Sequence, residues 1–198
     1  TIDPRLQGLA DKAVTDAYNK AIHDPDHPLA MSLVTVDPSN GYVKAMVGGP
    51  DFETKPFNLA TQGHRQPGSS IKPFTLITAL EEGISPYRTY ESAPQEFHFG
   101  KHSQETFVVH NDEDSYLGSC DIVCATTYSD NSIYAQLGLE GLKGKTIEDR
   151  TRSIAGTIHK MGYDDPISTT PAMVLGGLKD GVTPLGWTYA YSTIANDG

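Results

Sequence analysis

Apolar residues at helical spacing open the chain. Leu6, Leu9, Ala10, Ala13, Val14, Ala17, Tyr18, Ala21 and Ile22 fall on one face, which predicts an amphipathic helix. Asp3-Pro4 ahead of it offers a capping carboxylate and a proline whose missing donor is harmless in a first turn. His23 to Pro28 breaks the pattern. Residues 29–36 and 42–47 are rich in Val, Leu and Met around Asp37-Pro38-Ser39-Asn40-Gly41, which predicts a β-hairpin with a buried face. Residues 50–68 read as a Gly-, Pro- and Asn-rich loop. A helix follows from about Ser70 to Glu82, stops at Gly83, and carries Pro73 near its first turn, where missing donors are best tolerated. From Ser85 to Asp114 periodicity is weak and aromatics are frequent. That predicts a long surface excursion with short strands, of a length often tied to function. Helical spacing returns after Gly118, is interrupted around Ser129 to Ser132, and continues at 146–161 with Ile147, Ile154, Ala155, Ile158 and Met161. Thr183-Pro184 opens a last helix that stops near Asn196-Asp197-Gly198. The balance is many helices and one clear hairpin.

A length of 198 residues suffices for one substantial domain with a core. The formal net charge of −10 argues against nucleic acid as a partner, since that needs a basic footprint, and against docking on anionic lipid. No apolar run approaches membrane-spanning length, and no signal peptide is visible. Beginning at Thr-Ile-Asp-Pro, the chain reads as a piece of a longer protein. Cys120 and Cys124 sit four apart in a predicted helix. A bond between them is possible but strained, and the expectation is two small buried hydrophobes. Seven histidines are scattered without ligand spacing, even His98 and His102, so no metal and no cofactor are expected.

The chemistry-bearing residues lie at two places. Ser69-Ser70-Ile71-Lys72 puts a hydroxyl and an amine at i,i+3, on one face of the helix that starts there. Serine is a poor nucleophile without a base in reach, and lysine is a base only if burial or nearby positive potential lowers its pKa. The helix N-terminus supplies such potential. Ser69 rather than Ser70 shares spacing with Lys72, and Gly68 permits a close approach of backbone to ligand. Sixty residues further on, Ser129-Asp130-Asn131 adds a hydroxyl able to relay a proton and an amide able to donate to and accept from a peptide.

Arg65-Gln66-Pro67-Gly68-Ser69-Ser70-Ile71-Lys72-Pro73-Phe74 resembles the active-site segment of class A, bifunctional penicillin-binding proteins. Thr1 to Gln7 resembles the start of their transpeptidase domain. The hairpin from Val36-Asp37-Pro38 to Gly48-Gly49 resembles their D-P-x-x-G-x-V-x-A-h-V-G-G segment. Leu175-Gly176-Gly177, Val182-Thr183-Pro184-Leu185 and Ala195 to Gly198 resemble the stretch before a Lys-Thr-Gly strand. The resemblance implies an α/β (α+β) β-lactamase/transpeptidase-like fold, with helices on both sides of a five-stranded antiparallel sheet. Residues 1–198 would be its N-terminal portion, holding the hairpin and the helical part. It further implies a D,D-transpeptidase that crosslinks peptidoglycan on the outer face of the bacterial cytoplasmic membrane, anchored by an N-terminal segment outside this chain. Ser69 would attack D-Ala-D-Ala stem peptides, Lys72 would be the base, Ser129 the relay, and Asn131, with Gly68, would bind substrate. The Ser69 N–H would be half of the oxyanion hole. Expected partners are stem peptides of lipid II-derived glycan strands, β-lactam antibiotics and the missing C-terminal segment, because Lys-Thr-Gly is absent from the 198 residues.

A class A β-lactamase shares both motifs but needs a glutamate for its deacylating water. The corresponding stretch reads Asp164-Asp165-Pro166-Ile167-Ser168-Thr169-Thr170, with no Glu, so a penicilloyl enzyme should persist. A β-lactam sensor, a D,D-carboxypeptidase and an inactive fragment are the remaining alternatives.

Overall fold

The computed structural model describes residues 2–21, 29–49, 56–101 and 104–198. Ile22, the break from His23 to Pro28, residues 50–55 of the first loop and His102 lie outside the described residues. The chain forms two compact units, residues 1–65, 159–166 and 180–198 in one, and residues 66–158 and 167–179 in the other.

In the first unit α1 (Pro4–Lys20) begins as expected, with the Asp3 carboxylate accepting from the N–H groups of Arg5 and Leu6 at 2.9 and 3.1 Å. Its Ala10 and Val14 pack on Ala45 and Val47 of the hairpin formed by β1 (Leu33–Asp37) and β2 (Tyr42–Val47). Gln7 also binds β2 through its amide, donating to the Met46 carbonyl at 3.0 Å and accepting from its N–H at 2.9 Å. A side chain thus satisfies backbone groups that an edge strand would otherwise leave bare. Asp37 accepts from the Ser39 N–H at 3.0 Å and Gly41 adopts φ +70°, the turn chemistry that the sequence carries. A short α2 (Leu59–Gln62) and α7 (Pro184–Ala195) complete this unit, Trp187 of α7 packing edge-on against Tyr163 at 5.8 Å.

The second unit holds the chemistry. A 3₁₀ turn (Gly68–Ile71) runs directly into α3 (Lys72–Glu81). Two antiparallel ribbons follow: β3 (Thr89–Ser92) with β6 (Gly118–Asp121), and β4 (Gln95–Phe99) with β5 (Glu105–Val109). Then come α4 (Ile122–Thr127), α5 (Asn131–Gln136), a π turn at Leu137–Gly141, and α6 (Ile147–Lys160), all but the last two residues of which belong here. A 3₁₀ segment, Pro171–Leu175, closes the unit. Ile71, Phe74, Ile133, Tyr134, Leu137, Leu139, Ile154, Ile158 and Met173 form its buried interior. There the Thr78 hydroxyl donates to that of Thr157 at 2.7 Å, joining α3 to α6.

The fold is a mixed one of helices and antiparallel strands; β3, β4 and β5 are the short strands expected between Ser85 and Asp114, and β6 is the one strand added to them and to the first hairpin. β6 was expected to be helical. Gly118-Ser119-Cys120-Asp121 has no β-branched residue and is extended because it pairs with Thr89–Ser92, a tertiary effect invisible in local spacing. The cysteines differ from expectation for the same reason. Cys120 is in β6 and Cys124 in the first turn of α4, with Cα atoms 5.8 Å apart, and they form a disulfide. Asp121 between them caps α4, accepting from the Cys124 N–H at 2.8 Å.

Candidate active site

Pro67 and Gly68 set the direction of the Ser69 turn. Gly68 adopts φ +53°, and a Cβ there would meet open space, so its conformation is the requirement. The close backbone approach occurs at Gly176 (φ +81°), whose Cβ would strike the Gly68 backbone. Gln66 fastens the same region, its amide donating to the Leu178 carbonyl and accepting from the Leu178 N–H. The turn carrying Ser69 is therefore pinned from behind by residues 176–178.

Ser69 is exposed, and its hydroxyl has no hydrogen-bond partner among the described residues. It lines an open cavity of about 470 Å³ with His110, Asn111, Asp112, Tyr128, Ser129 and Asn131. Ser70 points away, its hydroxyl donating to the Pro67 carbonyl at 2.7 Å.

Lys72 is buried, with 4% of its surface exposed. Its Nζ donates to the Ser129 carbonyl at 2.5 Å, the Ser129 Oγ at 3.0 Å and the Asn131 Oδ1 at 2.7 Å, and lies 5.4 Å from the Tyr134 ring centre. An ammonium has three donors, and here each has an acceptor. Burial lowers the Lys72 pKa to about 8, against the opposing pull of the Asp130 charge. Burial, rather than the helix N-terminus invoked from sequence, is the principal cause.

Ser129 and Asn131 reach Lys72 because two short helices meet end to end. The Asp130 N–H donates to the Ala125 carbonyl at 2.9 Å and the Ser129 N–H to that of Thr126 at 3.3 Å. These are the paired bonds of a Schellman helix end, whose left-handed position is usually glycine. Ser129 occupies it with φ +54°. Asp130 then caps α5, its Oδ1 accepting from the Ile133 N–H and the Ser132 hydroxyl, both at 2.8 Å. Its Oδ2 accepts from the Ser92 hydroxyl and from the Asn111 Nδ2. Burial alone would push this carboxyl up, but those four hydrogen bonds outweigh it and hold it below the usual range.

The structure therefore gathers Lys72, Ser129 and Asn131 into one hydrogen-bonded group on a cavity that Ser69 also lines, with Gly68 shaping the turn. Sequence reasoning missed Ser92 and Asn111, which sit in the segment without periodicity, and the packing role of Gly176. Among the described residues no cluster of His, Cys, Asp and Glu could hold a metal ion, and no helix is long and apolar enough to cross a membrane.

Residues 31–198 match the family model described as the penicillin binding protein transpeptidase domain. Penicillin-binding protein 2D of Bacillus subtilis is 30% identical over 200 residues, spanning 100% of this chain and 26% of that protein. Penicillin-binding protein 1A of Pseudomonas aeruginosa is 33% identical over 173 residues, spanning 86% of this chain and 20% of its own length. The chain thus spans about a fifth to a quarter of the length of these curated relatives. The structure of PonA1 from Mycobacterium tuberculosis in complex with penicillin V superimposes with a TM-score of 0.77 at 28% identity, covering 98% of this chain and 50% of that one.

Proposed function

The chain belongs to the penicillin-binding protein transpeptidase family, in its class A branch, and we propose that it is the serine-bearing part of a peptidoglycan D,D-transpeptidase. The observation that carries this reading is the buried Lys72 amine shared by Ser129 and Asn131 beside the Ser69 cavity. Ser69 is the nucleophile, Lys72 its base, Ser129 the relay, and Asn131 a substrate-binding amide, with Gly68 setting the turn.

With a pKa of about 8, roughly a tenth of Lys72 is neutral at pH 7. In that form it takes the Ser69 proton as Oγ bonds to the carbonyl carbon of the penultimate D-Ala. The oxyanion is held by the Ser69 N–H. Its second donor comes, in this reading, from the segment bearing Lys-Thr-Gly, a motif that the 198 residues do not contain. The scissile C–N bond then breaks, and the proton passes from Lys72 through the Ser129 hydroxyl to the departing amine. Lys72 is left neutral, ready to deprotonate the acceptor amine of a neighbouring strand. With a β-lactam the departing nitrogen stays tethered, so the acyl-enzyme persists. The Cys120–Cys124 disulfide supports an oxidising, extracytoplasmic location.

The test is intact-mass spectrometry of the intact protein after incubation with benzylpenicillin. A single penicilloyl adduct on the peptide containing Ser69, absent in Ser69→Ala, is the expected result. No adduct would reject the reading.

A further inference from the structure

Asp130 anchors the middle of the 129–131 triplet through its cap on α5, but its two neighbours are less firmly held. Ser129 is exposed and left-handed, and the helices on either side, α4 and α5, have six residues each. Further fixing comes from Asn111, two residues past the end of β5 and remote in sequence from both motifs. Its Oδ1 accepts from the N–H groups of Asn131 and Ser132, both at 2.9 Å. Its Nδ2 donates to Asp130 Oδ2 at 2.7 Å and to the Ser115 carbonyl at 2.9 Å, with Ser92 Oγ at 3.2 Å. Asn111 and Asp130 between them thus occupy the first three free N–H groups of α5, and Asn111 also supports the capping carboxylate. The residue before it contributes as well: the His110 carbonyl accepts from Asn131 Nδ2 at 3.2 Å, which leaves Asn131 Oδ1 facing Lys72.

We propose that Asn111 is a positioning residue for acylation, clamping residues 129–131 so that Ser129 and Asn131 present their oxygens to Lys72. The proposal rests on the function proposed above. Helix initiation alone does not call for it, because Asp130 already caps α5 and a half-exposed helix start can be completed by water. What water cannot do is fix the rotation of the triplet about the Schellman hinge. The side chain must accept on one face and donate on the other, which an amide does and neither a carboxylate nor a hydroxyl does in the same geometry. Aspartate would accept from the two N–H groups but set a second carboxylate against Asp130. Alanine would release both contacts.

The titratable groups facing Lys72 are Asp130, across the triplet, and Tyr134, beneath the amine. Asn111→Ala frees the triplet and admits water to Lys72, and that relief of burial, the main cause of the lowered pKa, outweighs the loss of fixed acceptors. The lysine then titrates closer to its ordinary range, and the Ser69 hydroxyl loses the base in its required form.

The experiment compares the intact protein with Asn111→Ala, Asn111→Asp and a control, Thr151→Val. The control removes a part-buried hydrogen bond to the Thr169 carbonyl in the same unit and touches nothing in the triplet. Acylation by a fluorescent penicillin is followed against pH, Lys72 is titrated by NMR, and thermal unfolding is recorded. Asn111→Ala is expected to slow acylation about 100-fold, the scale of a misplaced catalytic group, and to raise the Lys72 midpoint by about one unit. Asn111→Asp should raise that midpoint further, through its added negative charge. Thr151→Val should lower the unfolding temperature and leave the acylation rate and the midpoint unchanged.

An unchanged Lys72 midpoint in Asn111→Ala overturns the proposal, as does a rate loss no greater than that of an equally destabilised Thr151→Val. If the wild-type protein is not acylated at all, the functional reading fails, and the NMR titration still decides whether Asn111 positions the triplet.

Discussion

Ser69 and Lys72 are carried by one continuous turn, whereas Ser129 and Asn131 are held at a junction between two helices by groups remote in sequence. In the first region Pro67 and Gly68 set the chain direction, an i,i+3 spacing aligns the two side chains, and Gly176 backs the turn. In the second, a serine sits where glycine is favoured, and Asn111 and Ser92 supply the constraints. The first region is rigid through its local geometry and through the backing of residues 176–178. The second is rigid only while a network of polar groups stays satisfied, and such networks fail sharply when one member is lost.

The largest effect should come from the group that belongs to both regions. Lys72→Met is expected to slow acylation by about a thousandfold or more, measured as the second-order rate constant with a fluorescent penicillin. The same variant tests the cost of burying the charge. Because the folded pKa of Lys72 is depressed to about 8 from 10.5, the unfolded chain binds more protons between those values. The wild type should therefore gain stability relative to Lys72→Met as pH rises from about 8 to 10.5, by up to about 3 kcal/mol, read from denaturant midpoints.

Asp130→Ala probes the polar network of the second region. It removes a cap and leaves the Ser92, Ser132 and Asn111 donors without their acceptor, so a loss of about 2–4 kcal/mol is expected, whereas a surface-like loss below about 0.5 kcal/mol would deny the network its importance. Ser129→Gly should separate the triplet's conformation from its chemistry. Relief of the left-handed strain should stabilise the fold by up to about 1 kcal/mol, while acylation falls at least tenfold for want of the relay hydroxyl. The smallest effect belongs to the disulfide, which closes a very short loop. Cys120→Ser with Cys124→Ser should cost no more than about 2 kcal/mol and leave acylation within about twofold, because α4 keeps its Asp121 cap.

The same contrast explains what could be read in the sequence. Helices α1, α3, α6 and α7 and the first hairpin follow from spacing and caps, since their determinants lie within a few residues of one another. Ser69 and Lys72 are legible for that reason. Ser129 and Asn131 were legible as a motif and as an interruption between helical stretches, but not as a Schellman end with serine in the glycine position. Asn111 and Ser92 carried no signal, because their meaning lies in bonds to residues 19 to 38 positions away. β6 was missed on the same ground. The cysteine pairing is not legible because local spacing puts both residues in one helix, whereas a strand-to-helix corner brings them together.

In the proposed function Lys72 is the base, with a pKa lowered by burial and held up in part by Asp130. The most direct measurement is the pH dependence of Ser69 acylation in the wild-type protein and in Asp130→Asn. The wild-type rate is expected to rise with pH through a single ionisation near 8, and that midpoint to move lower in the variant, where the charge that favours the ammonium is gone. A wild-type midpoint near 10.5, or one that does not move in Asp130→Asn, would contradict that role for Lys72.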